Sequence, residues 1–183
     1  MRIIGGNFKG RTILAPGSLP VRPTTDYAKS GIFNILNNHF DFEAITVLDL
    51  FCGTGNISFE FASRGAIKVT GVDSHSACLK FINEFSLKIG AKQIQTVRSD
   101  VFSFLKQNAN QYDIIFADPP FELKDTDSIP DLVFAGSLLK PEGWLIIEHQ
   151  SKRKLSSNKQ PAQVREYGNC AFSIYREDTI ESA

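Results

Sequence analysis

From Val47 onward, short apolar segments alternate with stretches of helical periodicity, and this alternation constrains the fold more than any other feature of the sequence. The apolar segments that indicate strands are 47–51, 68–72, 94–98, 112–117 and 143–148. The stretches that indicate helices are 56–64, 75–89, 101–108 and 129–138. Alternation of this kind is typical of an open, mostly parallel sheet with helices on both faces. The sequence therefore predicts a doubly wound α/β fold.

The two ends of the sequence have a different pattern. Residues 2–14 alternate weakly around three glycines, which predicts a β-hairpin, and a helix is expected from 25 to about 38. Near the other end, 162–167 and 170–176 are predicted to form an antiparallel hairpin that turns at Gly168 and Asn169. We expect an N-terminal hairpin extension at 1–24, one main domain at 25–178 and a tail at 179–183.

Composition narrows the class of protein. A chain of 183 residues with 42% hydrophobic and 22% charged residues suits one globular domain. It has no run of 18 apolar residues, so no membrane partner is expected. The three cysteines are odd in number and far apart, as in reduced cytoplasmic proteins, and the three histidines lack metal-ligand spacing. We therefore expect a cytoplasmic monomer without a metal.

The net charge is zero, but the charge is unevenly placed. Residues 1–40 carry five basic side chains against Asp26 alone, and residues 151–168 carry five against Glu166 alone. The acidic middle of the chain balances both. Basic flanks of this kind can neutralise the phosphates of a nucleic acid, although clustering on solvated loops would give the same pattern. From the first flank we expect nucleic-acid contacts by Arg2, Lys9, Arg11, Arg22 and Thr24.

Three carboxylates follow three successive strands of the predicted sheet. Asp49 precedes Gly53-x-Gly55, Asp73 ends the second strand, and Asp100 follows the third. Ligands of such sheets bind at the carboxyl ends of the strands. A dinucleotide site needs a third glycine in this loop, where the sequence has Ser58, and a carboxylate at Asp49 opposes a pyrophosphate.

A carboxylate at Asp49 instead suits the ammonium group of S-adenosylmethionine, with Asp73 on the ribose and Asp100 on the adenine amine. Each carboxylate alone could equally be a helix cap or a solvated strand end. The predicted cofactor residues are Asp49, Phe51, Gly53, Thr54, Gly55, Asp73, Ser74, Asp100 and Val101.

Asp118-Pro119-Pro120-Phe121 is the most specific motif of the chain. Two consecutive prolines after a buried strand hold an extended backbone that cannot continue as a helix. The Asp118 carboxylate and the Pro119 carbonyl can then accept the two hydrogens of a planar exocyclic amine, and Phe121 can support a base that has left its stack. We predict that these four residues are catalytic. No cysteine lies in the motif, which disfavours methylation of carbon through a thiol adduct.

The sequence resembles the bacterial 16S ribosomal RNA guanine-N2 methyltransferases (RsmD-like) over nearly its whole length. The motifs that carry the resemblance are Arg2-Ile3-Ile4-Gly5-Gly6, Lys9-Gly10-Arg11, Arg22-Pro23-Thr24-Thr25-Asp26, Phe33-Asn34, residues 47–55, Ser63-Arg64-Gly65-Ala66 and Asp118-Pro119-Pro120-Phe121. The resemblance implies a seven-stranded, class I S-adenosylmethionine-dependent (Rossmann-like) fold with an RNA-gripping hairpin. It also implies methylation of guanine 966 within a small-subunit assembly particle.

The sequence departs from the family pattern at several positions. Tyr27 and Lys29 stand where the family tends to have arginines, so RNA contacts from the first helix are expected to differ. Cys52 and Asn56 replace smaller residues in the glycine loop, and Asp73 replaces a frequent glutamate while keeping an acceptor.

Four other functions fit parts of this pattern. An Asp/Asn-Pro-Pro-aromatic motif also serves adenine-N6 methylation of DNA or RNA and methylation of glutamine in release factors. An RNA-binding module could keep the fold without catalysis, but Asp49, Asp73 and Asp118 argue against it. A nucleotide-dependent oxidoreductase conflicts with Asp49 and the missing third glycine.

Overall fold

A computed structural model of the chain describes residues 1–17 and 24–176, so Arg22 and the tail at 179–183 lie outside the described residues. The strands are β1 (Thr46–Leu50), β2 (Lys68–Asp73), β3 (Ile94–Arg98), β4 (Tyr112–Ala117), β5 (Leu139–Gln150), β6 (Gln163–Tyr167) and β7 (Cys170–Arg176). The α-helices are α1 (Asp26–Asn37), α2 (Asn56–Ser63), α3 (Ser76–Ile89), α4 (Val101–Gln107) and α5 (Ile129–Ala135). A short 3₁₀ turn at Phe42–Ala44 precedes β1, and another at Lys124–Ser128 precedes α5.

The seven strands form one sheet in the order β3-β2-β1-β4-β5-β7-β6. β1 to β5 run parallel to one another, and β7 is antiparallel to both of its neighbours. The chain builds outward from β1 in one direction and then from β4 in the other, so β1 and β4 flank the switch point of the sheet. Separate apolar clusters cover the two faces of the sheet. The predicted doubly wound fold is confirmed.

β5 is longer than the sequence indicates, and the helix before it is shorter. Pro141 and Gly143 predict a strand that begins only at 143, yet β5 begins at Leu139, which pairs with Tyr112. The pairing of β4 with β5 changes register between Tyr112 and Ile114, and this irregularity accommodates the break in the pattern. Residues 136–138, expected to be helical, instead lead from α5 into the longer strand.

The N-terminal segment keeps the antiparallel course of the expected hairpin, but it contains a single β-bridge, between Arg2 and Thr12. Its backbone bonds extensively to α2 rather than only to itself. The Asn7 N–H donates to the Ser63 carbonyl at 2.6 Å, and the Ser63 hydroxyl donates to the Gly5 carbonyl at 2.5 Å. Gly6 has a φ of 70°, and a Cβ there would lie 1.8 Å from the Ser63 carbonyl oxygen. The segment therefore needs glycine where it meets α2.

A buried ionic cluster joins this segment to α1 and α2. The Lys29 ammonium lies 3.3 Å from the Glu60 carboxylate, and neither side chain is exposed. Lys29 also donates to the Arg2 carbonyl, at 2.5 Å, and Glu60 accepts from the Ile4 N–H at 2.9 Å and pairs with Arg64 at 3.0 Å. Burial lowers the pKa of Lys29, and the neighbouring Glu60 opposes that shift. Lys29 is thus a structural residue, so the expected change in RNA contacts at this position is not supported by its location.

Substitution of Lys29 by methionine should lower the free energy of unfolding by about 2 kcal/mol or more, because it leaves buried Glu60 with one cation fewer. Urea denaturation measures the difference. The matched control is Lys80→Met, since the Lys80–Glu84 pair spans 3.8 Å on an exposed face of α3. That control should stay within about 0.5 kcal/mol of the parent protein. Equal losses in the two variants would contradict a stabilising role for the cluster.

Candidate active site

The carboxyl ends of β1, β2 and β4 open into one pocket of about 930 Å³ at the switch point of the sheet. This is where doubly wound sheets bind ligands, and the volume suits a small organic molecule. All nine predicted cofactor residues except Gly55 line it, and so do all four residues of the Asp-Pro-Pro-Phe motif. Sequence segments more than sixty residues apart are thus brought together around one cavity.

The loop after β1 has a backbone that turns sharply around the pocket. Phe51, Gly53 and Gly55 all have positive φ, at 58°, 49° and 79°. A Cβ on Gly55 would lie 2.9 Å from the Phe59 ring and 3.0 Å from Ile82, so glycine is required where the loop enters α2. The non-glycine Phe51 holds a left-handed conformation, which is uncommon and concentrates at functional sites. Its ring makes an edge contact with Phe102 across the pocket wall.

Asp73 fixes this loop from the neighbouring strand. Its Oδ2 accepts from the Gly53 N–H at 2.9 Å, and its Oδ1 accepts from the His75 N–H at 2.8 Å. The His75 ring nitrogen Nδ1 lies 3.1 Å from Oδ1, and Ser74 completes the turn. Asp73 therefore orders the glycine loop while its carboxylate lines the pocket.

Asp49 is almost fully buried at 1% exposure, and its Oδ2 accepts from the Ser58 hydroxyl at 2.5 Å. Burial raises the pKa of Asp49 to about 7, although the Ser58 hydrogen bonds oppose the shift. A carboxylate that burial makes costly to ionise is stabilised by a neighbouring cation. Asp49 is thus fitted to hold a positively charged ligand group.

Asp100 and Val101 border the pocket at the start of α4. The Asp100 side chain caps the helix by accepting from the Ser103 N–H at 2.8 Å, and this bond lowers the pKa of Asp100. Asp100 therefore has the helix-capping role that was the alternative interpretation of each of the three carboxylates. It leaves an ionised acceptor at the pocket edge.

The Asp-Pro-Pro-Phe motif forms a corner, named here by its residues Asp118–Phe121, that is hydrogen-bonded to the last residue of β1. The Asp118 N–H donates to the Leu50 carbonyl at 3.3 Å across the switch point. Pro119 is buried and Pro120 is exposed, while Asp118 and Phe121 are half-buried. The corner and the loop are therefore held side by side at the junction of β1 and β4.

Arg153 stabilises the corner through hydrogen bonds to its backbone. Its guanidinium donates to the carbonyls of Phe121 and Leu123 at 3.3 and 3.2 Å and pairs with Asp127 at 3.2 Å. In the sequence, Arg153 belongs to the second basic flank, 151–168, for which phosphate neutralisation and a solvated surface are both open interpretations. Neither describes Arg153, whose guanidinium bonds to two backbone carbonyls and to Asp127 within the protein.

The charge of the pocket decides which ligands it suits. Six carboxylates line it, and none of its described lining residues is a lysine or arginine: the six are Asp49, Asp73, Asp100, Asp118, Glu122 and Glu148. A phosphate-bearing cofactor would meet repulsion here, whereas S-adenosylmethionine carries a sulfonium and an ammonium and no phosphate. The residues present thus fit S-adenosylmethionine.

Sequence reasoning missed several residues of the pocket. Glu148 and Gln150 enter it from β5, and Tyr27 and Tyr167 stand in an edge-to-face pair with ring centroids 5.7 Å apart. Glu148 is the last residue of the predicted fifth strand, so its position at a carboxyl end could have signalled it. Nothing in the sequence places Tyr167 near Tyr27, because β6 reaches α1 only when the sheet is complete.

The predicted RNA-binding residues do not form one uniform surface. Lys9 and Arg11 are exposed, and Arg11 stacks over the Phe8 ring at 5.7 Å. Arg2 pairs with Asp26 at 3.0 Å and stays largely exposed. Thr24 differs from expectation: it is 7% exposed, and its hydroxyl donates to Glu148 at 2.6 Å inside the pocket. Its hydroxyl therefore serves the pocket wall rather than the outer surface.

Cys52, Cys78 and Cys170 are all buried. Burial, with Asp49 and Asp73 nearby, raises the pKa of Cys52 well above its ordinary value, so its thiol is a poor nucleophile.

Within residues 1–17 and 24–176, no cluster of three or more histidine, cysteine or acidic side chains has a metal-binding arrangement. No described helix combines the length and apolarity needed to cross a bilayer.

Known proteins share this architecture. A putative methyltransferase, YhhF, from Escherichia coli superposes with a TM-score of 0.82 at 28% identity, over 96% of each chain. An RNA methyltransferase from Salinibacter ruber, solved with S-adenosyl-L-homocysteine, has the same fold, with a TM-score of 0.65 at 15% identity over 87% of this chain and 97% of its own. The fold and the pocket together define a class I, S-adenosylmethionine-dependent methyltransferase.

Within that class, the chain belongs to the family described as conserved hypothetical protein 95, whose model matches residues 1–176. A curated relative is the ribosomal RNA small subunit methyltransferase D of Haemophilus influenzae, 31% identical over 96% of this chain and 93% of the relative. The family resemblance drawn from the sequence motifs is confirmed.

Proposed function

We propose that the protein transfers the methyl group of S-adenosylmethionine to the exocyclic N2 amine of a guanine in 16S ribosomal RNA. The observation that carries the proposal is the Asp118–Phe121 corner, which opens into a carboxylate-lined pocket at the switch point and is hydrogen-bonded to the carboxyl end of β1. The names of the curated relatives support ribosomal RNA of the small subunit as the substrate. Guanine 966, within an assembly particle, is the proposed target, and we propose that the protein acts as a cytoplasmic monomer.

The cofactor, when bound, supplies an electrophilic methyl group. Asp49 would hold its ammonium, Asp73 its ribose hydroxyls and Asp100 its adenine amine, while the turn at Phe51–Gly55 gives the backbone a close approach. Bringing the amine and the methyl group into line supplies much of the rate of such a displacement.

The corner would orient the amine. The Asp118 carboxylate and the Pro119 carbonyl accept its two hydrogens, which directs the nitrogen lone pair toward the methyl group. The half-buried Phe121 ring supports the face of the flipped base. Asp118 then accepts or relays the proton that the methylated amine releases.

The test of this function is product analysis. The purified protein, labelled S-adenosylmethionine and small-subunit particles from cells that lack the enzyme should yield labelled N2-methylguanosine on nuclease digestion and mass spectrometry. N6-methyladenosine in its place would favour the adenine alternative. Label in protein but not in RNA would favour glutamine methylation.

Combined replacement of Arg2, Lys9 and Arg11 by alanine should weaken RNA binding and reduce its salt dependence, because each exposed cation that meets a phosphate releases counterions. Three lost contacts should reduce the slope of log affinity against log salt by about 2 to 3. Binding titrations with 16S fragments at several salt concentrations measure the slope.

The control for this prediction is the combined replacement of Lys88 and Lys92, which lie at the far end of α3 from the pocket. An unchanged slope in the triple variant would mean that the N-terminal cations are only a solvated surface.

A further inference from the structure

Glu148 lies on β5, the strand that pairs with β4, and it is in register with Asp118 at the carboxyl end of the sheet. β4 and β5 pair in parallel with Ala117 opposite Ile147, and the residues that follow these two are Asp118 and Glu148. Both acidic residues line the same pocket. Two carboxylates therefore reach the reacting end of the cavity from adjacent strands.

The two carboxylates also share a face of the sheet. Side chains two residues apart along a strand point the same way, so Asp118 follows Phe116 and Glu148 follows Ile146. Phe116 and Ile146 belong to one core cluster, on the face that α1 and α2 cover. A substrate group held by Asp118 would thus have Glu148 as its neighbour.

Glu148 is held in place by a short chain of hydrogen bonds. It is 4% exposed, and its Oε2 accepts from the Thr24 hydroxyl at 2.6 Å. The Thr24 carbonyl in turn accepts from the Asn56 amide at 3.3 Å, and the Asn56 Oδ1 accepts from Lys29 at 2.9 Å. A carboxylate can accept from several donors, so the Thr24 bond is compatible with a further donor from a ligand.

The ring atom beside an exocyclic amine differs between possible substrates. In guanine, the amine-bearing carbon C2 lies between N3, which accepts, and N1, which carries a hydrogen and donates. In adenine and cytosine the corresponding ring nitrogen has a lone pair and accepts, and in a glutamine amide the carbonyl oxygen accepts. A carboxylate beside the amine pairs with the first of these groups and repels the others.

We propose that Glu148 selects guanine by accepting a hydrogen bond from its N1–H while Asp118 and Pro119 hold the N2 amine. The inference deepens the proposed function and rests on it, because it assigns a base-reading residue to the same site. It also gives a physical reason for preferring guanine over the adenine and glutamine alternatives that the sequence motif leaves open.

A base analogue tests the contact in the unaltered protein. 2-Aminopurine keeps the amine at C2, but its N1 has no hydrogen. Small-subunit RNA would be assembled with a synthetic segment that carries either guanine or 2-aminopurine at the methylated position. The parent protein should show a kcat/KM on guanine roughly 10²-fold above that on 2-aminopurine, since the analogue leaves a buried carboxylate facing a lone pair.

Glu148→Gln should reverse this preference in part. The glutamine can still accept from Thr24 and now offers an amide donor to the unprotonated N1. The ratio of guanine to 2-aminopurine activity should fall to about tenfold or less, through a gain on the analogue as well as a loss on guanine. The matched control is Glu142→Gln, on the exposed opposite end of β5, which should keep the parent ratio.

The outcomes separate the two proposals. Equal activity of the parent protein on guanine and 2-aminopurine would overturn the role of Glu148 without any variant, even if Glu148→Gln failed to fold. An unchanged ratio in a Glu148→Gln protein that still binds S-adenosylmethionine would also overturn it. Methylation of adenine in place of guanine by the parent protein would remove the proposed function itself.

Discussion

Replacement of Asp118 by alanine should abolish methyl transfer while the affinity for S-adenosylmethionine changes by less than about threefold. The Asp118 carboxylate is the proposed acceptor for both the amine hydrogens and the released proton. Loss of one positioned polar group costs about 10² to 10³ in rate, and loss of a proton acceptor adds to this, so we expect kcat to fall by about 10³-fold or more. Single-turnover methylation of ribosomal RNA measures the rate, and calorimetric titration measures cofactor binding.

Two further variants make the Asp118 result specific. Asp118→Asn keeps an acceptor for the amine but cannot take a proton, so its rate should lie between those of the parent and the alanine variant. Asp125→Ala removes an exposed carboxylate from the 3₁₀ turn that follows the corner and should leave the rate unchanged. An active Asp118→Ala protein would exclude the corner as the catalytic element.

The second large effect concerns pH and Asp49. Burial raises the pKa of Asp49 from 3.8 to about 7, so the carboxyl of the protein alone is mostly neutral below pH 7. A neutral carboxyl cannot attract the ammonium of the cofactor. The affinity for S-adenosylmethionine should therefore fall by up to about tenfold for each pH unit below 7. Calorimetric titration across pH 5 to 7.5, in buffers of different ionisation enthalpy, should detect release of one proton on binding.

The raised pKa of Asp49 also affects folding stability. Stability should fall as pH rises, whereas cofactor affinity should increase. Between about pH 4 and pH 7, the folded protein retains a proton on Asp49 that the unfolded chain has released, so the free energy of unfolding should decrease by about 4 kcal/mol as pH rises through this range. Above pH 7 this contribution is constant.

Asp49→Asn should remove both pH effects, leaving a protein that folds but binds S-adenosylmethionine roughly 10²-fold more weakly at pH 7.5. A variant with undiminished affinity, or with the parent pH dependence, would exclude Asp49 as the group that holds the ammonium. Ser58→Ala is a milder variant, because it removes only the 2.5 Å bond that orients the carboxylate.

The sheet could be predicted from the sequence because its central strands are short, mostly apolar segments that alternate with stretches of helical periodicity. Local patterns also place Asp49, Asp73 and Asp118 at strand ends, and parallel strands necessarily bring such ends to one edge. The length of β5 could not be predicted, because Pro141 and Gly143 interrupt the apolar pattern of a strand that continues through them with a change of register. Hydrophobic periodicity indicates which residues of a strand are buried, but it does not indicate where the pairing register between two strands changes.

The remaining errors arise from contacts between distant segments. Lysine is usually found on the solvent-exposed face of a helix. Lys29 is buried against Glu60 because the N-terminal segment docks over it. Thr24 and Glu148 are 124 positions apart, so neither residue reveals the other. Arg153 belongs to a basic cluster in the sequence, but in the structure its guanidinium donates to the Phe121 carbonyl of the Asp118–Phe121 corner.

The position of β7 bears on how the chain can fold during its synthesis. β5 finds its second hydrogen-bonding partner only in residues 170–176, whose Phe172, Ile174 and Tyr175 are fully buried. Until the ribosome has released that stretch, the nascent sheet presents a long apolar edge, and such edges recruit other chains. Chaperone dependence should therefore concentrate in the interval between the emergence of β5 and the emergence of β7 from the ribosome.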